Sequence, residues 1–224
     1  MLVRAAFDDL LTIVLPHRCP GCGRRALALC AVCAATLAPA PAAPPPAPVA
    51  WWTACYAYAG AARELVARAK YRGERHAFQL VVPTLAGAIA RAPTPVDVVT
   101  WIPASPDRLV RHGVDHGEVL ARAVARASAL PVAALLRRAP GPPQTGRDAR
   151  ARRAGPTLRG HRDVEGLTVL VVDDVATTGA SVAAAARALR ARRAAAVYAA
   201  TVARTPAPGS DSSPGAYTPC RPSN

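Results

Sequence analysis

Two adjacent carboxylates stand at the start of the stretch with the clearest chemical character. Asp173 and Asp174 follow an apolar, β-branched run and precede a Thr-Thr-Gly-Ala-Ser turn that ends at Ser181. The β-branched run predicts a buried parallel strand, and the residues from Ser181 onward predict a helix. The carboxylates and the turn therefore belong at the carboxyl end of a strand, which is where open α/β sheets bind their ligands.

The turn offers groups that suit a phosphate monoester. Hydroxyl groups, backbone amides and a helix N-terminus together bind anions, and a glycine allows close approach of the backbone. Two carboxylates beside such a turn repel each other unless they face a polyol, a metal ion or arginines. A sugar phosphate accompanied by Mg²⁺ would satisfy both the hydroxyl-rich turn and the carboxylate pair. The alternative is structural, with the carboxylates ending a strand and Ser181 capping a helix. The candidate ribose-phosphate-binding residues are Asp173, Asp174, Val175, Ala176, Thr177, Thr178, Gly179, Ala180 and Ser181.

A second group of reactive side chains lies near the N-terminus. Cys19, Cys22, Cys30 and Cys33 form two Cys-x-x-Cys pairs. Two such pairs make a tetrahedral zinc site, and four cysteine ligands leave no position for a catalytic water, so the metal would be structural. Two disulfides or a redox pair are the alternative.

The pattern of strands and helices predicts the fold that positions these residues. Strand-like runs alternate with helical ones, which favours an α/β fold with a mostly parallel sheet flanked by helices. We expect strands over residues 51–59, 96–103, 168–174 and 195–204, and helices over residues 61–71, 81–91, 117–130 and from 181 onward.

Composition predicts four segments along the 224 residues. Residues 1–37 form an N-terminal helix and the four-cysteine module, and residues 38–50 form a stiff Pro/Ala-rich linker. Residues 51–204 form the α/β domain, and residues 205–224 form a disordered tail. Within the domain, the Arg-rich segment 137–162 is either a loop that closes over the site or a solvated connector.

The formal net charge of +14 has three explanations. A nucleic-acid partner, a small anionic substrate and the arginine-rich codon usage of a GC-rich genome all fit, since Lys70 is the only lysine. No apolar window is long enough for a membrane span and no secretory signal is evident, so we expect a soluble, cytoplasmic protein.

The sequence from Val169 to Ser181 resembles the phosphoribosyl-pyrophosphate motif of the type I phosphoribosyltransferases. Together with the cysteine cluster and the run "AKYRGE" from Ala69, it resembles the ComF family, which combines a zinc ribbon with such a domain. The resemblance implies that Asp173 and Asp174 are catalytic residues that bind the ribose hydroxyls. It also implies that Thr177, Thr178, Gly179 and Ser181 hold the 5-phosphate, and that Arg108 and Arg111 lie on the pyrophosphate side.

The chain also departs from that pattern. The run "HGVDH" at residues 112–116 replaces an Arg-Gly-Phe-Asn-Gln run, and Ala154 and Gly155 replace Asn-Val. Two functions therefore remain. One is binding of phosphoribosyl pyrophosphate with Mg²⁺, with transfer of the phosphoribosyl group to a base or amine. The other is a non-catalytic accessory role in DNA uptake during natural transformation, with single-stranded DNA or its handling proteins as partners.

Overall fold

The computed structural model describes residues 18–26, 28–71, 76–139 and 156–205. The predicted N-terminal helix, the tail after residue 205 and the middle of the Arg-rich segment lie outside these ranges. Within the described ranges, no helix has the length and apolar character that a bilayer crossing requires.

Helices and strands alternate along the chain, as expected. The helices are α1 (Ala31–Ala35), α2 (Gly60–Tyr71), α3 (His76–Gln79), α4 (Val82–Ile89), α5 (Pro106–His112), α6 (His116–Ala127) and α7 (Ala180–Arg190). The strands are β1 (Trp51–Ala57), β2 (Val98–Trp101), β3 (Leu136–Arg138), β4 (Leu158–Gly160), β5 (Thr168–Ala176) and β6 (Ala196–Arg204).

Four of the described strands form one parallel sheet in the order β1-β6-β5-β2. β5 is central and its side chains alternate between the two faces, as strand geometry requires. Leu170 and Val172 join the apolar cluster on one face, and Val169 and Val171 join the cluster on the other. Burial on both faces explains why β5 reads as a continuous apolar run.

Helices cover both faces of the sheet. Residues of α2, α4 and α6 share one apolar cluster with Leu170, while α7 and β3 share the opposite cluster with Val171. The predicted α/β class, with a mostly parallel sheet flanked by helices, is therefore confirmed.

The Pro/Ala-rich segment 38–50 packs against the sheet along part of its length. Ala57 N donates to Ala38 O at 2.9 Å, and Ala40 N donates to Cys55 O at 3.2 Å, so this end adds an antiparallel bridge at the edge of β1. At the other end Val49 is buried in the core. The segment therefore contributes packing at the edge of β1 and in the core. The division of the chain into modules stays a prediction.

Helix α5 and the strand pair β3–β4 were not anticipated. Helix α5 lies inside the run after β2 and starts with Pro106 in its first turn, a position that proline favours because it has no N–H to leave unpaired. The ends of the Arg-rich segment form the antiparallel pair β3–β4, in which Arg137 faces Arg159. Neither strand exceeds three residues, too short for a periodic signal in the sequence.

Candidate functional site

A cleft opens where the neighbouring strands β5 and β2 end. Parallel strands present their carboxyl ends at the same edge, and the residues just beyond them face a common space. The cleft is lined by Lys70, Tyr71, Ile102, Pro103, Ala104, Arg108, His112, Val114, Asp115, His116, Gly117, Arg138, Asp173, Asp174 and Ser181.

The acid pair lies in this cleft and has a lysine partner. Lys70 Nζ lies 2.8 Å from Asp174 Oδ2, and Asp174 N donates to Asp173 Oδ1 at 2.9 Å. Asp174 is almost completely buried, so its charge requires this compensation. A polyol, a metal ion or an arginine was expected beside the pair. The lysine comes instead from α2, about a hundred positions earlier in the sequence.

The two carboxyl groups have different electrostatic surroundings. Burial, and then the charge of Asp174, raise the pKa of Asp173 to about 7, although Lys70 and Arg108 act in the opposite direction. Burial alone would lower the pKa of Lys70, but the attraction of Asp174 outweighs it and the pKa is raised. Burial and the neighbouring carboxylate thus move the titration of Asp173 toward neutral pH.

The hydroxyl-rich turn is exposed toward solvent. Thr177 and Thr178 are exposed, and Thr178 Oγ1 accepts a hydrogen bond of 3.3 Å from Ala180 N. Gly179 has φ +74° and begins α7 as its N-cap. A β-carbon there would lie 3.0 Å from Pro46 Cγ, so a side chain is disfavoured by both backbone and space. Among the residues whose hydroxyl groups were predicted to hold a phosphate, Ser181 lines the cleft.

The structure separates the two arginines predicted for the pyrophosphate side. Arg108 lines the cleft, whereas Arg111 is exposed on α5 and is not part of the lining. Arg138 of β3 joins Arg108 there, and its Nε donates to Pro103 O at 2.7 Å. In the sequence, Arg138 was one of many arginines in a basic segment, with nothing to single it out.

The histidines of the "HGVDH" run also line the cleft. Their rings lie 5.6 Å apart between centroids, and His116 Nε2 lies 2.9 Å from Lys70 O. Both histidines are half-buried. Burial lowers the pKa of His116, with the hydrogen bond to Lys70 acting against it.

Asp115, between those histidines, is a structural capping residue. Its Oδ1 accepts from Gly117 N at 3.0 Å and its Oδ2 accepts from Ala104 N at 2.8 Å. One carboxylate therefore caps α6 and fixes the loop after β2. Sequence reasoning missed this role because the capping residue stands in a run that was compared only with a family pattern.

The four predicted metal ligands meet in one cluster. The Sγ atoms of Cys19, Cys22, Cys30 and Cys33 all lie within 4.8 Å of one another. The Sγ atoms of Cys22 and Cys30 are 3.8 Å apart, far beyond a disulfide bond and close to the edge of a zinc tetrahedron, about 3.8 Å for Zn–S bonds of about 2.3 Å. None of the five cysteines in the described ranges forms a disulfide. The donor set and its spacing fit zinc.

Backbone groups support the cysteine cluster. The backbone hydrogen bond from Cys33 is the main reason that the pKa of Cys30 is lowered to about 7. Cys30 N donates to Cys19 Sγ at 3.3 Å. A β-carbon at Gly21 would lie 2.7 Å from Cys33 Sγ, which explains the glycine in the first turn. The buried Cys19 and Cys33 pack with Ala61 of α2, the helix that carries Lys70 near its other end.

Residues 114–219 match a family model described as the phosphoribosyl transferase domain. The phosphoribosyl transferase match contains the acid pair and the hydroxyl-rich turn. It begins after Lys70 and after the cysteine cluster, so it accounts for only part of the chain.

The chain is also similar to solved phosphoribosyltransferases. With glutamine phosphoribosylpyrophosphate amidotransferase from B. subtilis it shares 24% identity over 54% of this chain, with a TM-score of 0.38, and it spans 25% of that chain. Adenine phosphoribosyltransferase from Thermoanaerobacter pseudethanolicus is 15% identical over 59% of this chain and 83% of its own, with a TM-score of 0.39. Hypoxanthine phosphoribosyl transferase from Trypanosoma cruzi is 15% identical over 60% and 70%, with a TM-score of 0.37. Comparison with curated proteins gives no match.

Proposed function

We propose that the cleft binds phosphoribosyl pyrophosphate as its magnesium complex. The observation that carries this proposal is the acid pair followed by a solvent-facing hydroxyl turn at the carboxyl end of β5, within the segment that matches the phosphoribosyl transferase domain. Asp173 and Asp174 would accept hydrogen bonds from the two ribose hydroxyls. A diol is a suitable partner because it supplies two adjacent donors.

The 5-phosphate would bind at the start of α7. The amides of Gly179, Ala180 and Ser181 are at the N-terminus of an 11-residue helix, and the hydroxyls of Thr177, Thr178 and Ser181 stand around them. Val175 and Ala176 place this turn directly after the acid pair. A helix N-terminus with hydroxyl groups favours a dianionic phosphate.

Magnesium would enter with the ligand. Among the described residues, only the four cysteines form a group of three or more metal-ligating side chains, so the cleft offers too few ligands to hold Mg²⁺ by itself. Mg²⁺ commonly binds through substrate phosphates with few protein ligands. When bound, it would neutralise charge on the pyrophosphate, and Arg108 would add positive charge from the cleft wall, with Arg111 further out.

Transfer to an acceptor is the activity that this arrangement would serve. The nitrogen of a base or amine would form a bond to the anomeric carbon as the carbon–oxygen bond to pyrophosphate breaks, and the pyrophosphate would leave with the electron pair. The acid pair would hold the ribose hydroxyls during this displacement. The cysteine cluster would hold a structural Zn²⁺, and a cytoplasmic location remains our prediction.

Calorimetry with phosphoribosyl pyrophosphate and Mg²⁺ tests the binding. We expect wild-type chain to bind, and Asp173→Asn/Asp174→Asn to lose at least about tenfold in affinity, since each lost charged hydrogen bond contributes about 1.5–3 kcal/mol. Asp163→Asn removes an exposed carboxylate elsewhere and should bind normally. Pyrophosphate release in the presence of candidate bases then separates transfer from binding alone.

A second candidate function has support from the β3–β4 pair. Arg137 and Arg159 are exposed and directly opposite, an arrangement that destabilises a strand pair unless an anion lies between or above the two side chains. Burial, followed by the charges of Arg137, Arg162 and Arg192, lowers the pKa of His161 beside them. We propose single-stranded DNA as the polyanion, in an accessory DNA-uptake role of the ComF kind.

Fluorescence anisotropy with a labelled oligothymidylate tests this candidate. Arg137→Ala/Arg159→Ala should weaken binding and flatten its salt dependence. Arg63→Ala/Arg126→Ala removes the same charge from helices on the opposite face and should change both much less. Equal losses in the two variants would count against this site.

A further inference from the structure

Lys70 stands apart from every other basic residue in the chain. It is the only lysine among 28 basic residues, and its ammonium group lies in the cleft at 2.8 Å from Asp174. A chain that uses arginine at all its other basic positions keeps the compact, point-like charge of lysine at this one. A planar guanidinium would need more room and is strongest when it engages both oxygens of a carboxylate, whereas Lys70 contacts Oδ2 of Asp174 alone.

Two further contacts hold the same residue. His116 Nε2 lies 2.9 Å from the backbone carbonyl of Lys70, so the end of α2 is attached to the start of α6. The next residue, Tyr71, places its ring 5.3 Å from that of His112, which in turn contacts His116. The lysine is thus fixed at its backbone as well as at its ammonium.

The geometry limits what Asp174 can do. Only 20% of the Lys70 side chain and 10% of the Asp174 side chain are exposed, so the ion pair is shielded from water on most sides. A buried carboxylate without a cation would take up a proton and lose acceptor capacity. Because Lys70 holds Oδ2, the orientation of the whole Asp174 carboxylate, including Oδ1, is fixed.

We propose that Lys70 is the positioning residue of the sugar-phosphate site, held in place by His116, and that it compensates the buried carboxylate of Asp174 and orients it to accept a ribose hydroxyl. This inference rests on the proposed function and assigns it two residues outside the acid-pair and hydroxyl-turn motif: Lys70, in the run "AKYRGE" before the matched segment, and His116, within a run that departs from the family pattern. Asp173, the other half of the pair, accepts through Oδ1 from the backbone N–H of Asp174.

A lysine-selective isotope label gives a direct view of this contact. Because the chain has a single lysine, [¹³C]lysine labelling yields one ε-methylene signal, and its pH titration reports Lys70 alone. Without any ligand, we expect the midpoint to lie above that of a free lysine and to fall in Asp174→Asn. An ordinary midpoint in wild type that does not respond to Asp174→Asn would show that the pair does not form, and would overturn the proposal.

Calorimetry with magnesium phosphoribosyl pyrophosphate measures what the contact does for binding. We expect Lys70→Met to weaken affinity at least about tenfold, the effect of losing a charged hydrogen bond, and Lys70→Arg to recover part of that loss because charge is kept. Arg187→Met removes one exposed positive charge on α7 and should leave affinity within about twofold.

The role of His116 needs a conservative variant. His116→Leu removes the hydrogen bond to Lys70 O and should weaken binding severalfold while lowering the titration midpoint of Lys70. His116→Gln keeps a donor at a similar position and should restore both values. A merely structural histidine would change thermal stability and leave the Lys70 midpoint where it was.

The possible failures are distinguishable. Wild-type chain that fails to bind the magnesium complex would overturn the proposed function and the inference with it. Wild-type binding that Lys70→Met leaves unchanged, with the fold intact by circular dichroism, would overturn the inference alone. Loss of fold in Lys70→Met moves the test to Lys70→Gln, which also removes the charge, and to His116→Leu, and unchanged affinity in both of these would be equally decisive.

Discussion

The cysteine cluster and the acid-pair cleft are assembled in opposite ways. All four cysteines come from one 15-residue stretch, and their spacing brings the Sγ atoms within 4.8 Å. The cleft draws Lys70 from α2, Arg108 from α5, His116 from α6 and Arg138 from β3 to the end of β5. A site built from neighbouring residues can be inferred from the sequence. For a cleft assembled from distant elements, the sequence reveals only those site residues that are contiguous in the chain.

Removing a cysteine ligand should produce the largest effect. We expect Cys30→Ser to lower bound zinc from one ion per chain to well below one, because three thiolates and a hydroxyl bind the metal far more weakly. Since Cys19 and Cys33 pack against α2, thermal stability should fall as well. Plasma emission spectroscopy and a thermal melt provide the two measurements.

Cys55→Ser is the matched control for that experiment. Cys55 lies half-buried on β1 outside the cluster, and desolvation raises the pKa of its thiol to about 11, as fits an unreactive thiol. Zinc content should stay at one ion per chain. Equal zinc in Cys30→Ser and wild type would contradict the four-cysteine assignment.

Breaking the ion pair should reveal how far the cleft depends on distant residues. Lys70→Met leaves the Asp174 carboxylate without its cation, and we expect a loss of about 3 kcal/mol in the free energy of unfolding. The double variant Lys70→Met/Asp174→Asn removes both charges and should recover much of that loss. Urea unfolding of the two single variants and the double variant measures the coupling. Additive effects would mean that the pair contributes no interaction energy.

The acid pair should also make the stability of the chain depend on pH. The pKa of Asp173 is raised from 3.8 to about 7, so between these values the folded chain holds a proton that the unfolded chain has released. The free energy of unfolding should therefore fall as pH rises through this window, by up to about 1.4 kcal/mol per pH unit, and level off above it.

Asp173→Asn cannot titrate and should lack this contribution. The difference between its unfolding curve and that of wild type, followed by urea denaturation from pH 4 to 8, isolates the carboxyl group. Parallel pH profiles in the two proteins would show that Asp173 titrates normally.

The smallest effect concerns the glycine of the hydroxyl-rich turn. Gly179→Ala forces a side chain into a left-handed conformation and toward Pro46, and should destabilise the chain by about 1–2 kcal/mol. Gly87→Ala, in an exposed position of α4 with open space around it, should instead stabilise by about 0.5–1 kcal/mol. Thermal melts of both variants provide the comparison, and the same sign of change in both would contradict the turn geometry.

Much of the fold could be predicted because its signals are local. The β-branched run of β5 and the helical pattern of α6 led to the parallel sheet and its flanking helices, and the Cys-x-x-Cys spacing led to the thiolate cluster. The short strand β3 and the helix α5 were missed, since neither is long enough to establish a period.

The cleft could be predicted only in part for a different reason. Asp174 needed a counter-charge, and that need was visible in the sequence, but which cation met it depended on how α2 docks beside β5. The one available signal was the uniqueness of Lys70 in an arginine-rich chain. Asp115 and His116 were hidden because their roles depend on contacts with Ala104 and Lys70 that no spacing reveals.

Calorimetric titration of the wild-type chain with phosphoribosyl pyrophosphate and Mg²⁺ tests the central claim most directly. We expect saturable binding of one ligand per chain that Asp173→Asn/Asp174→Asn abolishes or weakens at least about tenfold. No heat of binding in wild type, or equal binding by the double variant, would contradict the assignment of the acid pair to a sugar-phosphate site.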